Sequence, residues 1–148
     1  MSVNNMRINY KKLIVILLGF LIVVVLIFVG TSRVNSNTYV YEKMWKIDIP
    51  NGFKEIYSAK SDIGFTGDGI RYSIYEYNGE PIENVEFVLK NKSEVKEKID
   101  SLLTKIEVEE SMKIDTAEDF QLCVLEKNND TIIFCKSSEK LYVVQETQ

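Results

Sequence analysis

The chain has 148 residues, 45% of them hydrophobic and 27% charged, with a formal net charge of −4 at neutral pH and no histidine. The missing imidazole excludes Ser-His-Asp and Cys-His nucleophilic catalysis, histidine-liganded zinc and histidine pH switching. Beyond residue 30 lie all 22 acidic residues and 15 of the 18 basic ones, a balance of −7 that argues against nucleic acid and against adhesion to anionic lipid.

In chain order, the first segment, residues 1–12, carries Arg7, Lys11 and Lys12, and no acidic residue occurs among the first thirty. Residues 13–30 (LIVILLGFLIVVVLIFVG) follow, eighteen residues without a charge, an amide or a proline. As a helix they rise about 27 Å, close to the roughly 30 Å hydrocarbon core of a bilayer. A surface helix of a soluble core needs a polar face, and this run has none. It therefore reads as a transmembrane helix with the lipid bilayer as its partner. The basic flank places the N-terminus in the cytoplasm and the rest outside, a single-pass protein of the cell membrane.

A cleaved signal peptide is the competing reading of the same run. Its length exceeds the roughly 7–15 residues of a signal h-region, and Gly30-Thr31-Ser32 stands where an Ala-x-Ala would favour cleavage. No cysteine lies near the end of the run, which excludes a lipoprotein anchor. Gly19 and Gly30 do not form a GxxxG pair.

Residues 31–38 (TSRVNSNT) are polar and read as a tether to an extracytoplasmic domain, residues 39–148. Its 110 residues suit one small core. Residues 39–49 (YVYEKMWKIDI) hold β-formers with partial alternation and predict a first strand, closed by the Pro50-Asn51-Gly52 turn. Residues 53–59 predict a second strand, 61–69 (SDIGFTGDG) a glycine-rich loop, and 70–77 (IRYSIYEY) a third strand ended by Asn78-Gly79.

Residues 81–90 fit either a short helix or an extended segment. Asn91, with Glu94 three residues on, opens a firm helix. Val95, Ile99, Leu102, Leu103 and Ile106 recur there at helical spacing as one apolar stripe. Residues 120–127, a three-residue loop at 128–130, residues 131–137 and residues 141–145 predict a closing meander. The order β-β-β-α-β-β-β gives an α+β domain, an antiparallel sheet with one main helix packed on it.

Three features are candidates for chemistry or contact. With Lys127 opposite Thr131 across a three-residue loop, Cys123 and Cys135 stand directly opposite each other, at a spacing a disulfide tolerates. The alternative is two small apolar residues facing the core. In the loop, Asp62 and Asp68 sit among three glycines with Phe65. They could gather oxygens around a cation or simply cap their own backbone, and the EF-hand spacing is absent. Tyr75 and Tyr77 share one strand face, available as an aromatic contact surface or as core, while Tyr72 points the other way.

The stretch Gly64-Phe65-Thr66-Gly67-Asp68-Gly69, before a tyrosine-rich strand and after an Ile-Pro-x-Gly turn and an N-terminal anchor, resembles small uncharacterised membrane-anchored proteins of low-GC Gram-positive bacteria. Such relatives often carry histidine before the Gly-Asp-Gly, where Thr66 stands here. The resemblance implies location and architecture, and it implies no activity.

The sequence thus favours an anchored binding or accessory module, most simply one that binds an envelope protein, using Asp62, Phe65, Asp68, Tyr75 and Tyr77, with no catalytic residue, metal or cofactor assigned. The alternative is a carboxylate-based hydrolase built on pairs such as Asp62 and Asp68.

Overall fold

The computed structural model describes residues 10–34, 36–62, 68–88, 92–114 and 120–148. The chain forms two compact units, Met1–Val40 and Tyr41–Gln148.

The first unit holds helix α1, Tyr10–Val34. Within it the window Lys12–Val29 has a mean hydropathy of 3.3 and none of it is buried inside the protein. The helix runs on through residues 31–34, where a tether was expected. Extending an existing helix fixes one residue for one hydrogen bond, so a polar but unbroken sequence need not stop it. Ser36 then caps the next helix, α2 (Asn37–Trp45), accepting from the Tyr39 amide at 3.3 Å on its hydroxyl and from the Val40 amide at 3.2 Å on its carbonyl.

α2 replaces most of the first expected strand. The alternation of Tyr39–Trp45 satisfies helical spacing equally well, because Tyr41, Met44 and Trp45 fall at i, i+3 and i+4. With an N-cap upstream, helix wins over the β-preference of Tyr and Val. It ends at Lys46, which takes the left-handed conformation at φ 60° and donates its amide to the Glu42 carbonyl at 3.1 Å. Ile47 and Ile49 beyond it are buried, as their alternation suggested.

The second unit is built on a five-stranded antiparallel sheet: β1 (Glu55–Lys60), β2 (Gly69–Glu76), β3 (Gln121–Lys127), β4 (Asp130–Lys136) and β5 (Lys140–Thr147), in the spatial order β1-β2-β5-β4-β3. The last strand therefore inserts between β2 and β4 and joins the two halves of the domain. Helix α3, Lys92–Lys105, carries the expected stripe: Ile99, Leu102 and Leu103 are buried, with Val95 and Ile106 packed beside them. It stops in a paired cap, with Val108 N–H donating to the Leu103 carbonyl and Glu107 N–H to Thr104, both at 3.1 Å, and Glu107 left-handed at φ 53°.

Both faces of the sheet are covered, so β4 and β5 are buried in unbroken runs instead of alternating. On one face Tyr72, Ile74, Ile133, Cys135, Tyr142 and Val144 pack with α3. On the other, Tyr75, Cys123, Ile132, Phe134, Leu141 and Val143 pack with Tyr41, Ile47, Ile49, Phe53 and Ile82.

The β3–β4 connection corrects the expected disulfide. Asn128 (φ 53°) and Asn129 (φ 74°) form a two-residue turn, the primed geometry that Asn tolerates, and Asp130 already pairs with Lys127. The register is therefore one residue away from the expected one: Cys123 faces Phe134 and Leu122 faces Cys135. A one-residue slip sends a side chain to the other face, and the two cysteines lie in different cores, both buried, neither in a disulfide. Alkylation without reductant should add two groups to the denatured chain and none to the native one. A loss of two protons by mass would contradict this register.

Candidate functional site

The β1–β2 connection holds the two loop carboxylates. Ser61 closes it, its amide donating to the Ile70 carbonyl and its hydroxyl accepting from the Ile70 amide, both at 2.9 Å. Asp62 and Asp68 stand at its two ends, both exposed, and Phe65 lies outside the described residues. A carboxylate hydrolase needs one carboxyl in a desolvated setting, and both aspartates face solvent. Among the described residues no group of three or more His, Cys, Asp or Glu could hold a metal ion.

The tyrosines belong elsewhere. Tyr77 follows the end of β2 while Asp68 precedes its start, so about nine residues of extended chain, roughly 30 Å, separate them. They cannot form one site. Tyr75 is 1% exposed and is core, which corrects its assignment to a contact surface; the shared face of Tyr75 and Tyr77 was read properly, but that face is covered. Tyr77 is half-buried and meets Phe53 edge-on at 5.4 Å between ring centroids. Lys136 lies over this group, its Nζ 4.7 Å from the centre of Phe87 and 5.2 Å from that of Tyr77. The result is an aromatic patch with one cation, which pairs with no carboxylate among the described residues.

A polar seam that sequence reasoning missed runs beneath α2. The Tyr41 phenol and the Ser73 hydroxyl hydrogen-bond at 3.2 Å in the core. Burial pushes the Tyr41 phenol well above its ordinary value of 10.0, and Ser73 offsets only part of this. Tyr75 is raised likewise, by burial first and by Tyr41 second; Ser73 favours its ionised form too, yet the Tyr75 hydroxyl has no hydrogen-bond partner. Gln145 is fully buried, its amide donating to the Met44 thioether at 3.2 Å. Its carbonyl oxygen and the Trp45 indole N–H are also without partners. Each such orphan costs about 1–3 kcal/mol. The sequence did hold a signal for Gln145: it continues the inward series Leu141, Val143.

An open depression of about 410 Å³ lies at the β3–β4 turn, lined by Glu126–Thr131 and Gln148. The Gln148 amide donates to Asp130 Oδ1 at 3.0 Å, and Lys98 donates to the Thr131 hydroxyl at 2.9 Å. Lys98 and Lys105 also flank Glu146, at 3.7 and 3.9 Å. These groups largely satisfy one another.

The described residues thus offer contact chemistry at separate places: aromatic faces with a cation at one end of β2 and carboxylates at the other. Comparison with known proteins finds no matching family model, no matching curated protein and no matching solved structure.

Proposed function

We propose that the chain is a single-pass membrane protein whose Tyr41–Gln148 domain stands on the extracytoplasmic side and binds another protein of the envelope. The observation that carries this reading is α1, apolar all round and unburied over Lys12–Val29. Water is a poor solvent for such a surface and a bilayer is a good one. The basic N-terminal flank supports the orientation, and the resemblance around Gly64–Gly69 points to the same setting. For contact, the reading favours the patch of Tyr77, Phe87 and Lys136, since aromatic residues are enriched among the anchors of protein interfaces and Lys136 adds a charge that a partner can match.

A photocrosslinking residue at Phe87 in the native membrane should capture one discrete protein, and Lys136→Glu should abolish the adduct. The same residue at exposed Glu97 on α3 should capture nothing. Equal adducts from both positions, or none from Phe87, would remove the patch as the contact site.

A further inference from the structure

We propose that α2 is a releasable strap: Tyr41–Trp45 leaves the sheet, hinging at Lys46, before the rest of the domain unfolds. This inference rests on packing and is independent of the partner reading above.

Among the described residues, the three buried polar side-chain atoms that lack a partner all belong to this seam. Trp45 is on α2, Gln145 touches α2 through Met44, and Tyr75 lies within electrostatic reach of Tyr41. A thioether is a weak acceptor, so the Gln145 amide is hardly better satisfied than its carbonyl. Opening hydrates all three groups, which offsets part of the burial that holds the seam shut.

What holds it is the buried Tyr41 side chain, hydrogen-bonded to Ser73, with Trp45 packed beside it. Of Tyr41–Trp45 only Tyr41 is fully buried; Glu42 and Lys43 are exposed, and Met44 and Trp45 are half-buried. α3, on the other face, buries Ile99, Leu102 and Leu103 and has no orphan among the described residues. The hinge is equally well defined. Lys46 is left-handed, a conformation that costs a residue with a Cβ, and its carbonyl is held by the Asn84 amide at 3.1 Å. Just beyond, Ile47 and Ile49 are buried and fix the chain, so release stops there.

Trp45 is the sole tryptophan, which makes its fluorescence a specific probe of the strap. The full chain in detergent micelles should be titrated with urea, following Trp45 emission and far-UV circular dichroism together. The emission red-shift should come at least about 1 M before the dichroism transition, and Gln145→Met, which removes one orphan, should narrow that gap. In native buffer the amides of α2 should exchange at least about 100-fold faster than those of Ile99–Leu103. Coincident transitions in the wild-type chain, equal exchange, or a gap that Gln145→Met leaves unchanged would overturn the proposal.

Discussion

Raising the pH from 10 to 12 is expected to unfold the domain cooperatively. Tyr41, Tyr72 and Tyr75 are all held above the ordinary phenol value of 10.0, in each case mainly by burial, and burial raises the Cys135 thiol as well. A group whose folded-state pKa is raised contributes its full stability below the unfolded value and loses it as pH climbs above that value. By pH 11 each phenol therefore withdraws about 1.4 kcal/mol, and three withdraw about 4, against a typical domain stability of about 5–15. Absorbance at 295 nm should show a late ionisation that includes Tyr41, Tyr72 and Tyr75, in the same step in which circular dichroism is lost. A titration complete near pH 10 with the fold intact would mean that these three are not buried.

The second large effect is expected at Leu102. It is 3% exposed, on the stripe by which α3 covers the sheet, beside Leu103 and Ile99. Leu102→Ala should cost about 2–5 kcal/mol, the transfer of the lost methyl groups plus the cavity left behind. The midpoint of urea unfolding should fall with little change in slope. Glu97→Ala, on the exposed side of the same helix, should stay within about 0.5 kcal/mol. A loss below 0.5 kcal/mol at Leu102 would mean that α3 faces the other way.

The same helix shows where the sequence was legible. Five apolar residues at a 3.6-residue period admit one reading, and α3 appears within a residue of its expected start and end. The five strands from 53–59 onward were legible for a similar reason, since turn residues bracket them. The stretch 39–49 was not, because its apolar positions fit both periods and only the weak capping signal of Ser36 separates them. Around residues 128–130 the difficulty was one residue wide. Asn-Asn-Asp fits a two- or a three-residue loop, and that single step decides whether Cys123 meets Cys135 or Phe134.

The candidate site was less legible still. Periodicity places Tyr75 and Tyr77 on one face correctly, but it cannot say what covers that face. The cover comes mostly from residues 41–53, more than twenty positions upstream of Tyr75, together with Ile82. The fold-level inference of an α+β domain with an antiparallel sheet needed only local patterns. The position of β5 between β2 and β4 needed tertiary information that no local pattern carries.

The central claim is that α1 is retained in a membrane with the Tyr41–Gln148 domain outside, and protease added to intact cells tests it most directly. The account predicts that the domain is removed while a fragment containing α1 stays in the membrane fraction, and that lysing the cells exposes no further domain. Full-length chain that resists digestion until lysis would contradict the orientation. Mature protein recovered from the medium and beginning near Arg33 would contradict the anchor itself.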